Sequence, residues 1–326
     1  ATGLISLVDL QEDTYMGLQG GLYPKGSNFM PVDHKNDGIN VARTIKPLDS
    51  LGNVDWENGK IVFLGMGASV AGNPWNNFMN LTKDDPELNP CMQMINGCVG
   101  SKGLNIMVDL EENSKYWYED VIPRIENKDA TQYQVQAIWI KHAYKHQGDI
   151  LWPDFPDSIV DFYEQLIPIL MDTFPNLKLM FLSGFTYGGY ADSTYNFYKV
   201  VVEPGSYWTN WAVKWLIEKQ LDNAPNLKYK GAGRNAPWMA WGPHVWADGE
   251  RANEWDGLQW FCETDYGPEG GGYHLSYGGV TKEANMLIDW AKSHPVTKKW
   301  FLDGPKWNRC DPTGRLANGE APDNTP

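Results

Sequence analysis

A serine and a histidine in two glycine-rich stretches are the residues of this 326-residue chain best suited to covalent catalysis. Ser69 lies in GMGASVAGN, after the apolar run at 60–66, and His274 lies in GGGYHLS, ahead of a helical pattern. A serine hydroxyl is a weak nucleophile unless a base takes its proton, and histidine commonly acts as that base. The pair predicts acyl-transfer chemistry if the fold brings the two residues together; otherwise each is part of an ordinary glycine turn.

Acyl transfer also needs hydrogen-bond donors for the oxyanion, and a second glycine-rich loop offers them. This loop, NGCVGSKG at 96–103, follows another short apolar run. The backbone N–H groups of its glycines are candidates, because glycine lets the backbone approach an anion closely. The alternative is a tight turn closed by a disulfide through Cys98.

The elements that must position these loops follow from periodicity. Apolar runs typical of buried strands occur at 60–66, 91–95, 104–108, 135–140, 177–182 and 236–241. Helical patterns occur at 115–128, 158–174, 207–223 and 281–294. This alternation predicts a three-layer α/β/α sandwich with a mostly parallel sheet, whose ligands bind outside the carboxyl ends of the strands. We expect an irregular N-terminal extension at 1–58, packed on a body at 59–310, and a loose tail at 311–326.

Net charge and hydropathy limit the kinds of molecule that this protein can be expected to bind. The chain has 41 acidic and 27 basic residues and a formal net charge of −14, without any window rich in Lys or Arg. This balance argues against nucleic acids and anionic membranes. No apolar run approaches the roughly 20 residues that span a bilayer. We therefore expect a soluble protein without a cofactor.

Cysteines and one glycosylation sequon favour an extracellular location. Four cysteines, at positions 91, 98, 262 and 310, allow two disulfides, and Cys91 with Cys98 would close a short loop. Four free thiols in a cytosolic protein are the alternative. Asn80-Leu81-Thr82 is the one N-x-[ST] sequon and makes Asn80 a candidate glycosylation site.

Two histidines have a spacing that metal ligands can have. His142 and His146 stand four residues apart in KHAYKHQ, after the run at 135–140. No acidic residue completes an H-E-x-x-H pattern, so we expect two solvated histidines and no metal. A metal-dependent hydrolase that uses both histidines and a carboxylate is a weaker hypothesis.

The loops, in their order along the chain, resemble the blocks of SGNH (GDSL-type) hydrolases. The similarity is greatest to secreted members found beside polysaccharide-degrading genes and includes KIVFLGMGAS, INGCVGSKG, VQAIWIKHAY, APWMAWGPHVWADG and GGGYHLS. For the family, this implies a flavodoxin-like fold and a serine esterase without a cofactor. The resemblance places Ser69 on the nucleophile, Gly97 or Gly100 on the oxyanion glycine, and His274 on the base.

Two positions depart from the family pattern. Tyr144 stands where the family's third block has an asparagine that donates to the oxyanion, and Gly271 stands where the last block has its acid. The Tyr144 hydroxyl is one replacement donor. Glu269 and Asp265 lie on the loop before His274 and are candidates for the missing acid, which orients the imidazole.

Two functions remain open. The first is an extracellular esterase that deacetylates a polysaccharide. Aromatic and histidine side chains near the predicted loops would bind the sugar: Trp75, Tyr187, Trp241, His244 and Trp246. The second is a catalytically silent protein of the same fold that binds glycans or builds an extracellular assembly, for instance by self-assembly. The two departures favour this alternative.

Overall fold

The computed structural model describes residues 1–109, 111, 115–144, 146, 148–192, 199–267 and 271–310. The strands are β1 (Thr14–Tyr15), β2 (Leu18–Gln19), β3 (Ile61–Gly67), β4 (Met92–Asn96), β5 (Val135–Lys141), β6 (Leu179–Ser183) and β7 (Trp238–Trp241). The α-helices are α1 (Leu7–Leu10), α2 (Val32–Arg43), α3 (Ser69–Thr82), α4 (Leu104–Val108), α5 (Ile122–Glu126), α6 (Asp154–Thr173), α7 (Gly205–Leu221), α8 (Cys262–Asp265) and α9 (Tyr277–Ser293). Tyr116–Val121 is π-helical, and short 3₁₀ segments lie at Gln132–Gln134, Lys199–Val201, Pro225–Leu227, Thr297–Lys299 and Pro305–Cys310.

A five-stranded parallel sheet forms the centre of the fold. Its strand order is β4-β3-β5-β6-β7, and every neighbouring pair is parallel. Because all five strands point the same way, the loops that follow them lie at one edge of the sheet. This confirms the predicted α/β class, and five of the six apolar runs are strands of this sheet.

Side chains that alternate along the strands build two separate cores. Val62 and Leu64 of β3 face one layer, which includes residues of α6 and α7. Ile61 and Phe63 face the other layer, which includes residues of α2, α3 and α9. A strand buried on both faces reads as a continuous apolar run, which is why these strands could be found in the sequence. Helices on both faces make the fold a three-layer α/β/α sandwich, as predicted.

The apolar run at 104–108 is helix α4 and not a strand. Leu104 and Met107 are buried, whereas the side chains between them are half-buried, which is the spacing of a helix face. The Leu104 amide donates to the carbonyl of Ala143 and so ties the helix to the loop after β5. A run of five apolar residues fits either structure, and here tertiary packing decides.

The N-terminal extension is more regular than predicted, because its residues 32–43 form helix α2. The helix packs on the end of the sheet through His34, which stacks on Trp238 with ring centroids 4.7 Å apart. Gly38 permits this approach, since a Cβ there would lie 2.4 Å from the Trp238 ring. The predicted tail at 311–326 lies outside the described residues.

One disulfide joins Cys91 to Cys310, so Cys91 does not pair with Cys98, the pairing that the sequence spacing permitted. Cys91 immediately precedes β4 and Cys98 follows its end. An extended strand of this length holds its ends about 15 Å apart, whereas a disulfide needs Cα atoms within about 7 Å. Cys98 is a buried free thiol and Cys262 an exposed one.

No helix among the described residues has both the length and the apolar character needed to cross a membrane.

The Cys91–Cys310 bridge generates a stability prediction. Cys310→Ser should lower the free energy of unfolding by about 2–4 kcal/mol, because the bridge restricts the unfolded chain. Urea unfolding followed by tryptophan fluorescence measures this change. Cys262→Ser removes an exposed, unpaired thiol and serves as the control, with an expected change below about 0.5 kcal/mol. Equal curves for Cys310→Ser and the wild type would contradict the bridge.

Candidate active site

Ser69 is the first residue of helix α3, directly beyond the carboxyl end of β3. The turn between strand and helix requires Gly67, whose φ is 147°. A Cβ on Gly67 would lie 2.5 Å from the Lys141 carbonyl oxygen and 2.6 Å from Cβ of Ala71. The glycine therefore lets the chain reverse tightly and present the half-buried Ser69 at the sheet edge. Sequence analysis predicted only a loop here and missed α3.

His274 reaches Ser69 from the far end of the chain. Its Nε2 lies 2.8 Å from Ser69 Oγ, across 205 positions of sequence. Gly272, with φ 72°, permits the preceding loop to pass over Tyr190, because a Cβ there would lie 1.9 Å from the Tyr190 carbonyl oxygen. Two residues after His274, the Ser276 hydroxyl caps α9 by accepting from the Gly279 amide at 3.3 Å. The histidine is thus held between a glycine turn and a capped helix.

Ser69 opens onto a cleft at the carboxyl edge of the sheet. The cavity volume of the cleft is about 80 Å³, and its walls include Ser69, Ser101, Gly103, His142, Tyr144 and Tyr273. A second, very small cavity of about 10 Å³ on Ser69 is lined by Asn73, Thr186 and His274, among others. Ser69 and His274 therefore lie at the wall of a small cleft at this edge of the sheet.

The two glycines proposed as oxyanion donors differ in whether their backbone N–H groups are already hydrogen-bonded within the protein. The Gly97 amide donates to the Gly65 carbonyl at 2.9 Å and extends the sheet, which makes Gly97 unsuitable as a donor to substrate. Gly100 makes no backbone hydrogen bond of this kind to another described residue. Ser101 follows it in a left-handed conformation with φ 65°, which brings 101–103 to the cleft wall. Gly100 remains the candidate of the two.

Tyr144 lines the cleft, but its hydroxyl is engaged elsewhere. The hydroxyl lies 2.7 Å from Ser158 Oγ, and the single Ser158 hydroxyl proton is donated to the Phe155 carbonyl at 2.6 Å. Tyr144 must therefore donate its own proton to Ser158. This argues against the prediction that Tyr144 supplies the missing oxyanion donor, because donation to substrate would break the bond to Ser158.

Asp265 has a supporting role in the loop instead of the predicted contact with His274. Its carboxylate pairs with Lys282 and accepts from the Phe261 amide at 3.0 Å. Its carbonyl accepts from the Ser276 amide at 2.9 Å and so fastens the start of α9. The other candidate acid, Glu269, lies outside the described residues.

The five side chains predicted to bind sugar are all buried, so that prediction is wrong. Their exposed fractions are 0% for Trp75, 3% for Tyr187, 3% for Trp241, 8% for His244 and 0% for Trp246. Trp75 stacks on Trp139 with ring centroids 5.3 Å apart, and its Nε1 donates to the Ile95 carbonyl. Large aromatic side chains fill this core, and proximity to a predicted loop did not reveal their direction.

Tyr273 was missed by sequence reasoning, and His142, which was considered only as a metal ligand, also lines the cleft. Tyr273 contacts the His274 ring, with centroids 4.2 Å apart, and lines both cavities. His142 is only 3% exposed, so the expectation of two solvated histidines is wrong for it. His146 is half-buried, and its Nε2 lies 3.2 Å from the Asp149 carbonyl oxygen. The described residues contain no group of three potential metal ligands.

Asn80 is exposed in the last turn of α3. The hydroxyl of Thr82, the third residue of its sequon, is buried and donates to the Phe78 carbonyl at 2.7 Å. Glycosylation of Asn80 stays a prediction.

A buried ion pair lies behind the site. Lys141 Nζ contacts both carboxylate oxygens of Glu283 at 2.6 and 2.7 Å, and the two side chains are 1% and 0% exposed. Lys141 ends β5 beside Gly67, and Glu283 lies on α9. Burial raises the pKa of Glu283, and the neighbouring Lys141 ammonium opposes this change.

Removal of one partner from this pair should be strongly destabilising. Lys141→Met leaves a buried carboxylate without its cation, and we expect the free energy of unfolding to fall by about 3–5 kcal/mol. The double variant Lys141→Met/Glu283→Leu should recover more than half of that loss in urea unfolding. Lys219→Met, at an exposed pair with Glu164, is the control and should cost less than about 1 kcal/mol. A double variant no more stable than Lys141→Met would refute the argument.

Comparisons with known proteins gave similar structures at low sequence identity. No family model matches the chain, and no curated protein matches it. A GDSL-like lipase from Parabacteroides merdae is 12% identical, with a TM-score of 0.35 over 74% of this chain and 97% of the lipase. An acetyl xylan esterase is 13% identical, with a TM-score of 0.32 over 70% and 98%. A gut microbial diltiazem-metabolizing enzyme is 14% identical, with a TM-score of 0.29 over 56% and 36%. With such low TM-scores, the site assignment rests on this chain's own geometry.

Proposed function

We propose that this protein is a serine esterase of SGNH type that removes acyl groups, above all acetyl groups, from an extracellular polysaccharide. The contact between Ser69 Oγ and His274 Nε2 at 2.8 Å carries the proposal. A hydroxyl and an imidazole at this distance, at the wall of a cleft, meet the geometric requirement for a nucleophile and its base.

The first half of the reaction transfers the acyl group to Ser69. Its Oγ attacks the ester carbonyl carbon while its proton passes to His274 Nε2, and the carbonyl π electrons move to oxygen. When the tetrahedral intermediate collapses, the bond to the sugar oxygen breaks and His274 returns the proton to that oxygen. The sugar leaves with a free hydroxyl, and Ser69 carries the acyl group.

The second half repeats these steps with water. His274 takes a proton from water as the water oxygen attacks the acyl carbon. When the second tetrahedral intermediate collapses, the bond to Ser69 Oγ breaks, His274 returns the proton to Oγ, and the carboxylic acid leaves. In both halves the oxyanion needs donors, and the position of Ser69 supplies some. The first N–H groups of an α-helix lack partners within the helix, and its amino end carries a partial positive charge. Ser69 begins the 14-residue helix α3, so the oxyanion forms beside these groups.

Three observations support a polysaccharide substrate outside the cell. The cleft is open to solvent and includes the aromatic ring of Tyr273, which suits a sugar ring attached to a chain. The formal charge of −14 favours neutral over anionic substrates. The Cys91–Cys310 disulfide is typical of oxidising compartments. The block order along the chain adds the similarity to secreted esterases described above.

A catalytically silent protein that binds glycans is the second candidate. The observation that favours it is the Tyr144 hydroxyl, which stands in place of the family's asparagine donor and donates to Ser158. Loss of one oxyanion donor typically costs a factor of about 10²–10³ in kcat. The activity measurement below decides between the two candidates.

Hydrolysis of p-nitrophenyl acetate and of acetylated xylan tests the esterase proposal. Ser69→Ala should reduce kcat to the background rate, because it removes the nucleophile, and His274→Ala should reduce it at least about 10³-fold, because it removes the base. Both variants should keep the wild-type melting temperature within a few degrees, since neither side chain lies in a packed core.

Ser293→Ala is a matched control, because it removes a serine hydroxyl at the other end of α9. Its activity should equal that of the wild type. Ser69→Ala with wild-type activity would exclude the assigned nucleophile. A wild type no faster than Ser69→Ala on both esters would support the silent alternative.

A further inference from the structure

His142 is a buried side chain that the mechanism above leaves without a role. It lies directly after β5 on the cleft that contains Ser69, and only 3% of it is exposed. Neither ring nitrogen makes a hydrogen bond of normal geometry with a described residue, although the ring also interacts with the Lys102 backbone. Most buried polar groups in proteins are hydrogen-bonded, so an unpartnered ring on a cleft wall requires a reason.

The environment of His142 keeps the ring uncharged. Burial lowers the pKa of His142 to about 3, and the hydrogen-bonding interaction with the Lys102 backbone opposes this change only in part. At neutral pH the ring therefore has one N–H donor and one unprotonated nitrogen. A neutral imidazole can donate a hydrogen bond without transferring its proton, as in enzymes that polarise a substrate carbonyl this way.

Two of the other candidate donors near the cleft are already engaged in hydrogen bonds and are not available to an oxyanion. Tyr144 donates to Ser158, and the Gly97 amide donates to Gly65. His142 stands on the same wall, in the loop that follows β5, with unpartnered ring nitrogens. A donor held in a nearly dry site acts more strongly on a developing negative charge than one in water.

We propose that His142 is a catalytic residue whose ring N–H donates to the oxyanion of the tetrahedral intermediate formed on Ser69. The inference rests on the proposed esterase function. In each half-reaction the N–H approaches the substrate carbonyl oxygen as its charge develops, and the proton stays on His142. The general base remains His274, so the two histidines have separate roles.

If His142 serves catalysis and not folding, its buried ring should lower the stability of the folded protein. An unpartnered buried ring gives up hydrogen bonds to water and gains none in the protein. Replacement by leucine, an apolar side chain of similar reach, should therefore leave the melting temperature equal or higher while activity falls. A residue with a purely structural role would show the opposite result, a lower melting temperature with activity retained by the folded fraction.

The test compares His142→Leu and His142→Gln with the wild type on p-nitrophenyl acetate. His142→Leu should lower kcat about 10²-fold or more and change KM by less than about threefold, because the interaction forms in the transition state. His142→Gln, whose amide can still donate, should keep kcat within about tenfold of the wild type. Above pH 5 the pH profile of kcat in the wild type should show no ionisation of His142, because its ring stays neutral.

His294→Leu is the control, because His294 is a half-buried histidine whose Nε2 is buried and unpartnered and whose pKa is lowered to about 4 by burial. It packs against Phe181 on the side of the sheet that includes α9, and its loss should not change kcat. If His142→Leu retains kcat within about threefold of the wild type, or if His142→Gln is as slow as His142→Leu, the proposal is overturned.

A fluorophosphonate probe separates failure of this proposal from failure of the esterase function. Ser69 Oγ attacks phosphorus, fluoride leaves, the serine proton passes to His274, and the P=O oxygen takes the place of the oxyanion. We expect labelling of the wild type at Ser69 and slower labelling of His142→Leu. Equal labelling rates would overturn the role of His142 alone. A wild type that neither labels nor hydrolyses esters would overturn both proposals.

Discussion

The buried ion pair between Lys141 and Glu283 is the interaction on which the geometry of the cleft depends. It joins the carboxyl end of β5 to helix α9, and no solvent reaches either side chain. Two buried charges are stable only in close contact with each other, because burial has removed the water that would otherwise solvate each of them. The pair therefore has one acceptable arrangement. Since Lys141 lies beside Gly67 and α9 begins just after His274, that arrangement also sets the distance between the serine turn and the histidine loop.

The parallel sheet makes this coupling possible by collecting distant segments at one edge. The turn before α3, the loop at 97–103 and the loop after β5 all leave the sheet in the same direction. Each is restricted by a local feature of its own: a glycine turn, a left-handed serine or a bond between side chains. The cleft is therefore assembled from short segments that are rigid for independent reasons. Such a site needs little rearrangement when substrate binds, which favours electrostatic preorganisation.

Sequence reasoning predicted the layers because they depend on patterns that burial imposes, and the serine–histidine pairing because the order of the loops resembles that of a known family. Strands buried on both faces appear as apolar runs, and the resemblance in block order located Ser69 and His274. The wrong predictions concern the type of one short element, the direction in which side chains point and the partners to which they bond. Five apolar residues at 104–108 fit a helix as well as a strand, and the direction of Trp75 or Trp246 depends on packing from elements far away in sequence. The engagement of Tyr144 by Ser158, and the burial of His142, depend on the same long-range packing.

The disulfide has a consequence for how the molecule can be oriented. Cys91 lies at the amino end of β4, so the bridge fixes Cys310 at the amino edge of the sheet, whereas Ser69 lies at the carboxyl edge. The bridge thus holds the last described residue at the edge of the sheet away from Ser69, so that a label or tether placed at this edge would lie apart from the cleft.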